Sequence, residues 1–278
     1  NDIVGITAAM MHPVGLGPMH EAYPGRVIDV GIAEAEAVAS AAGMAYQGAH
    51  PVVALYATFL NRGFDQLLMG VTGADGASHN GVWDIAMCSM IPGLRLAAPR
   101  DEETLRARLR EALDVDDAPT VIRYRKGSLP EPMPALRSVG GVDILFDEVV
   151  ADSSARVLIV GTGACAPDAI EAARRLAADG VSVTVADPQW MIPISSDLAM
   201  LVRDYDCVVS VEDGIVQGGF GWSLRESVAD TGVPVRCLGV PQGFPEHGDR
   251  AQMIAQFGYD ADGIERAARE LVERISNR

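Results

Sequence analysis

Short, nearly continuous apolar runs alternate along this chain with longer stretches whose apolar residues recur every three or four positions. Strands buried on both faces and joined by crossover helices give this pattern, so it predicts parallel α/β layers. In the first half the runs predict strands at 3–7, 27–30, 52–56, 94–97 and 120–123, with helices at 33–47, 60–69, 82–89 and 102–113. Residues 128–140, SLPEPMPALRSVG, combine prolines with no periodicity and read as an interdomain linker. The alternation then restarts, with strands at 157–160, 181–186, 207–212 and 235–239 and helices at 166–179, 220–230 and 263–275. The expected architecture is two consecutive α/β domains, 1–127 and 141–278, each a mostly parallel sheet flanked by helices. One junction breaks the pattern. The helix at 60–69 passes straight into GVTGADG, although a parallel sheet needs a strand after each crossover helix. A strand and its loop, on the order of 15 residues, are expected to be absent between Met69 and Gly70. A true deletion is the alternative.

Composition narrows the partners. A chain of 278 residues has ample interior for two cores, and its formal net charge of −16 argues against nucleic acid or an anionic membrane. Against that acidity, a phosphate-binding site would have to gather its own arginines. Cys88, Cys165, Cys207 and Cys237 stand far apart and read as reduced, buried thiols of a cytoplasmic protein, without metal-ligand spacing. No apolar run reaches transmembrane length and no leader pattern is present. Because DIVGITAAM already reads as a strand, the sequence is expected to be a fragment of a longer protein.

The segment RVIDVGIAEAEAVASAAG carries the first candidate chemistry. An apolar strand turns at Gly31 into a helix whose first charge, Glu34, stands among Ile32, Ala33, Ala35 and Val38. A carboxylate so placed is poorly solvated and suited to hold or donate a proton near neutrality. An N-terminal glutamate favoured by the helix dipole is the competing reading. Five motifs then carry a resemblance: DVGIAE (29–34), YATFLNRGFDQ (56–66), GADGASHNG (73–81), IPGLRLAAPRDEETL (91–105) and VIRYRKG (121–127). Together they resemble the 1-deoxy-D-xylulose-5-phosphate synthases, thiamine-diphosphate enzymes of the transketolase superfamily. The resemblance runs from about residue 2 to about residue 275 and covers that family's pyrimidine-binding and C-terminal domains.

The resemblance implies a transferase that decarboxylates pyruvate and joins the remaining two carbons to glyceraldehyde 3-phosphate, in a homodimer. It implies that Glu34 hydrogen-bonds the pyrimidine ring of thiamine diphosphate, that Phe59 stacks on that ring, and that Ile32 belongs to the cofactor site. Tyr56, Arg62, Asp75, His79 and Arg123 match residues around the aldehyde acceptor, with the arginines on its phosphate and His79 able to move a proton. Each has a plainer reading: core packing for Phe59, a solvated helix arginine for Arg62, an Asp-Gly turn for Asp75, a strand-end hydroxyl in water for Tyr56. The family's diphosphate signature, with its Mg²⁺, has no counterpart in this sequence, so no metal ligand is assigned.

Several positions depart from the family pattern. Glu36 stands where a histidine is usual, Ala57 replaces a serine, and MMHPVGLG (10–17) replaces a more glycine-rich turn. The family strand expected after residue 69 ends in Asp-Arg-Ala, so its arginine has no counterpart here. These changes leave open a related ketol transferase with another acceptor, and a non-catalytic partner subunit that keeps the fold. GTGACAPDAI (161–170), VEDGIVQGGFG (211–221) and FPEHG (244–248) match the C-terminal domain. A structural role is expected for them, His247 included.

Overall fold

The computed structural model describes residues 3–63, 82–124, 130–243 and 250–277. The chain divides into two compact units, Asn1–Met87 and Cys88–Arg278.

In the first unit β1 (Ile3–Thr7) leads through α1 (Gly17–Ala22) to β2 (Val27–Asp29), then through α2 (Glu34–Tyr46) to β3 (His50–Ala54). The strands pair in the order β2-β1-β3, all parallel, with Gly5 opposite both Val27 and Val52. Each crossover is long enough to bring the chain back to the start of the next strand, which parallel pairing requires. Ile6, Ala37 and Ala41 form the buried centre, with Val4, Val30, Met44 and Val53 packed against it. The alanines let α2 lie close on the sheet. β3 stops at Ala54, so Tyr56 stands beyond the strand expected to contain it. Next come the short helix α3 (Ala57–Leu60) and a 3-10 turn, Asn61–Gly63, beginning earlier than the helix expected at 60–69. The Met69–Gly70 junction and GADGASHNG lie outside the described residues. Helix α4 (Asp84–Cys88) ends this part of the chain.

The second unit opens with β4 (Arg95–Ala97), α5 (Glu102–Leu113) and β5 (Thr120–Ile122), then β6 (Arg137–Val139) and β7 (Val142–Glu148). It continues with β8 (Arg156–Gly161), α6 (Ala166–Ala178), β9 (Ser182–Asp187), β10 (Trp190–Ile192), α7 (Ser196–Val202) and β11 (Cys207–Ile215). α8 (Phe220–Ser227), β12 (Val235–Val240), α9 (Arg250–Phe257) and α10 (Ala261–Ser276) complete it. The main sheet has the order β12-β11-β8-β9-β7-β6, parallel from β12 to β9 and antiparallel at β7 and β6. A smaller sheet, β10-β4-β5, pairs β4 with β5 in parallel and with β10 antiparallel.

The β6–β7 hairpin begins inside the stretch read as a linker. Its turn is Gly140-Gly141, both with positive φ (56° and 86°), a two-residue connection that glycine makes without steric cost. All three residues of β6 are exposed, so no apolar alternation marks it. Central strands β8 and β9 are buried along nearly their whole length, and α6 covers them with Ala166, Ala169, Ala172, Ala173 and Leu176.

Arg100, from the APRDEETL motif, is the electrostatic centre of this unit. Only 5% exposed, it donates to Asp187 at 2.9 Å and to the Met133 carbonyl at 2.8 Å, and stands 2.8 Å from Asp143. Next to it, Asp101 caps α5 by accepting from the Thr104 N–H and also accepts from the Met133 N–H, both at 2.9 Å. One Arg-Asp pair thus fastens the start of α5, the segment at Met133 and two strands of the main sheet.

Candidate functional site

Parallel strands place functional groups at their carboxyl ends, where the connections to the following helices converge. In the first unit three such connections meet. Asp29, the last residue of β2, holds two of them: one carboxylate oxygen accepts from the Ala9 N–H at 2.8 Å and the Gly31 N–H at 3.0 Å. Ala9 and Gly31 are both left-handed (φ 58° and 72°), a conformation costly for alanine and natural for glycine. The third connection is tied in by the Tyr56 N–H, which donates to the Met10 sulfur at 3.3 Å.

Glu34 follows this turn as the first residue of α2, and it is 3% exposed. Gly63 packs on the same helical turn: a Cβ there would lie 3.0 Å from Val38 Cγ2 and 3.3 Å from the Glu34 carbonyl oxygen. The nearest cation is Arg62, 3.8 Å away, and among the described residues the Glu34 carboxylate accepts no hydrogen bond. A carboxylate so placed can accept a hydrogen bond from a bound donor. Glu36, two positions on, is exposed and accepts from the Ser40 hydroxyl at 2.8 Å along the helix surface. The substitution at 36 therefore leaves the setting of Glu34 intact.

Beside Glu34 the rings of Tyr56 and Phe59 lie near-parallel, with centroids 6.1 Å apart and planes inclined by 23°. The Arg62 guanidinium lies 5.6 Å from the Phe59 ring centroid. Arg62 is thus turned toward Glu34 and Phe59. Ile32 is 77% exposed at the rim. A buried carboxylate, a flat aromatic surface and a cation gathered at the strand ends suit a planar nitrogen heterocycle, so the residues present fit the pyrimidine of thiamine diphosphate. Asp75 and His79 lie outside the described residues, as does His247. No three His, Cys, Asp or Glu side chains stand at metal-holding distance among the described residues.

Arg123 belongs to the second unit and follows β5. Its N–H donates to the Ala97 carbonyl at 2.8 Å, extending the β4–β5 ladder by one residue. Its guanidinium donates to the main-chain carbonyl of Asp213 at 2.6 Å and stands 3.7 Å from the Asp213 carboxylate. Arg250 and the Tyr259 hydroxyl also donate to that carboxylate, at 3.1 and 3.2 Å. Burial alone would push the Asp213 carboxyl up, but Arg123 and Arg250 outweigh it and hold it below the usual range. Burial raises the nearby Cys165 thiol well above its ordinary value, and the Asp213 charge adds to the effect.

Sequence reasoning passed over three of these groups. Asp213 stood in a motif read as structural, and nothing local linked it to Arg123. Arg100 carried no assigned role. Glu212, 1% exposed, accepts from the Phe220 and Gly221 N–H groups at 2.8 and 2.9 Å and so caps α8 with a buried charge. All four cysteines are free thiols, and no helix among the described residues is long and apolar enough to cross a membrane.

Comparison with known proteins gives the family. Residues 1–132 match the family model of the transketolase pyrimidine binding domain, and residues 148–264 that of the transketolase C-terminal domain. The chain belongs to the transketolase family. Among curated proteins it is 49% identical to 1-deoxy-D-xylulose-5-phosphate synthase 2 of Kitasatospora griseola, over 99% of this chain and 47% of that protein. It is 46% identical to the corresponding protein of Streptomyces coelicolor, over 100% and 46% respectively. The chain therefore spans about half the length of the curated relatives it matches. The Streptomyces alignment runs over 295 residues against this chain's 278, so some positions of the relative have no counterpart here. Among solved structures, a split gene transketolase described as an inactive beta4 tetramer matches with a TM-score of 0.82 at 25% identity, over 98% of this chain and 92% of that one. Transketolase from Leishmania mexicana shares the fold, with a TM-score of 0.76 at 19% identity, over 99% and 43%.

Proposed function

We propose that this chain is the pyrimidine-binding and C-terminal part of an enzyme that condenses pyruvate, with loss of carbon dioxide, with glyceraldehyde 3-phosphate. The observation that carries the reading is Glu34: a buried carboxylate, lacking a hydrogen bond among the described residues, at the strand ends beside the Tyr56–Phe59 pair. When bound, thiamine diphosphate would supply the nucleophilic carbon that takes up the two-carbon unit. Glu34 holds a proton at the pyrimidine nitrogen, Phe59 supports the face of the ring, and Ile32 closes the rim. Tyr56, Asp75, His79, Arg62 and Arg123 receive the aldehyde, with the arginines on its phosphate and His79 moving a proton at its carbonyl. The diphosphate and Mg²⁺ fall to the half of the relatives' length that this sequence does not span. Domain limits at 127 and 141, a segment absent between Met69 and Gly70, a homodimer and a cytoplasmic setting belong to the same proposal.

A second reading is favoured by one observation, the near-complete mutual coverage with the split gene transketolase chain. In it the chain is a separate subunit that joins a diphosphate-binding chain. Titrating thiamine diphosphate and Mg²⁺ against the full-length protein by calorimetry, then offering pyruvate with several aldehydes, tests both. Saturable binding and a 1-deoxy-ketose phosphate product are expected, and Glu34→Gln should lower turnover at least about a hundredfold while leaving the unfolding midpoint in place. Full turnover in Glu34→Gln would remove the central assignment. An intact gene encoding only these two domains would favour the separate subunit.

A further inference from the structure

Asp213 occupies an irregular place in the second unit. The pairing of β11 with β12 shifts register between Val211 and Ile215, while pairing with β8 ends at Val211 opposite Gly161. Asp213 sits inside this shift, and such irregularities re-aim a backbone carbonyl and its side chain out of the regular ladder. Both groups turn to Arg123. The main-chain carbonyl accepts from Nη2 at 2.6 Å, and the carboxylate lies 3.7 Å from Nη1. Engaged at two nitrogens, the planar guanidinium has its orientation set, and an arginine so fixed loses less freedom when it binds an anion.

The carboxylate is itself held. Arg250 donates to the oxygen that faces Arg123, and the Tyr259 hydroxyl donates to the other oxygen. Tyr259 is 3% exposed and the Arg123 and Asp213 side chains are 14% and 17% exposed, so these three are largely shielded from water, whereas the Arg250 side chain is 39% exposed. Arg123 falls in the segment matching the pyrimidine-binding domain and Asp213 in the segment matching the C-terminal domain. The Asp213 carbonyl and carboxylate thus give the C-terminal domain a hold on an arginine of the other domain.

We propose that Asp213 is a positioning residue for acceptor selection: through Arg123 it sets the preference for a phosphorylated over an unphosphorylated aldehyde. The inference rests on the acceptor role of Arg123 given under the proposed function. The test measures kcat/KM in the full-length protein at saturating pyruvate, with D-glyceraldehyde 3-phosphate and with D-glyceraldehyde, and takes their ratio. Arg123→Gln should lower the ratio at least about tenfold, and Asp213→Asn about fivefold, because it removes the charge 3.7 Å from Nη1 while the main-chain hydrogen bond to Nη2 stays. Asp213→Glu, which keeps the charge, should restore most of it. A merely structural Asp213 would lower both rates together and leave the ratio unmoved. If Arg123→Gln lowers the ratio and Asp213→Asn does not, the positioning role is overturned and the acceptor reading stands. If Arg123→Gln leaves the ratio unchanged, the acceptor role of Arg123 fails and takes the inference with it, while thiamine binding and Glu34→Gln still judge the enzyme reading separately. Should Asp213→Asn not fold, Tyr259→Phe removes one bond that orients the carboxylate. A drop of about twofold is then expected, and an unchanged ratio overturns the proposal.

Discussion

Replacing Arg100 with methionine keeps much of the side chain's length and apolar stem while removing the cation that faces two buried carboxylates. Asp187 is fully buried and Asp143 is 7% exposed, so neither can recover hydration in place. Breaking a buried ion pair by deleting one partner costs about 3–5 kcal/mol, and here one cation serves two acids. The cost should depend on pH in a definite direction. Burial pushes the Asp187 carboxyl from an ordinary 3.8 up to about 6, against the pull of Arg100. Between those values the native state holds more protons than the unfolded one. The contribution of Asp187 to stability is therefore largest below pH ~4 and falls as pH rises to ~6, by on the order of 3 kcal/mol, then levels off. Without Arg100 the proton is held to still higher pH. Near pH 5 Asp187 is mostly protonated in both proteins, so the variant's deficit there comes from the lost hydrogen bonds and from Asp143, which loses its partner at either pH, and it should be the smaller of the two. Near pH 8 the wild type has an ion pair and the variant a stranded acid, so the full deficit should appear. Denaturant unfolding followed by circular dichroism at the two pH values reads the difference, and adding Asp187→Asn should return the part of the loss that appears only at pH 8. Equal deficits at pH 5 and pH 8 would refute the assignment of Arg100 as the counter-charge of Asp187.

Other outcomes follow from the same network of buried polar groups. Glu212→Ala should lower stability by about 2–4 kcal/mol, because the Phe220 and Gly221 N–H groups lose a charged acceptor inside the protein; Glu212→Gln, which keeps an acceptor oxygen, should lose less in the same unfolding assay. A Cβ at Gly219 would sit 2.3 Å from both a Glu212 carboxylate oxygen and the Ile215 carbonyl oxygen, so Gly219→Ala should destabilise by about 1–3 kcal/mol, read as a lowered melting temperature. For Asp101, burial pushes upward, but the Thr104 and Met133 N–H groups outweigh it and hold the carboxyl below its ordinary value. Its contribution is present above pH ~4 and lost as pH falls through the depressed native value, so Asp101→Asn should flatten the acid limb of the stability curve.

The alternation of strands and helices was legible because buried parallel strands are apolar along their whole length, and β8, β9 and β11 are such strands. The burial of Glu34 at the start of α2 was legible because the groups that set its surroundings lie within one strand–helix–strand stretch and leave a local motif. The β6–β7 hairpin was not, since β6 is exposed on both faces and only the Gly140-Gly141 turn marks it. Nor did the sequence distinguish where Arg62 and Arg123 point. Arg62 turns to Glu34, 28 positions back along the chain, and Arg123 to Asp213, 90 positions on. Periodicity records which face of an element is buried; it does not record which distant carboxylate will meet a given arginine. Strand order and the register shift in β11 decide that, and both are set when the sheet assembles.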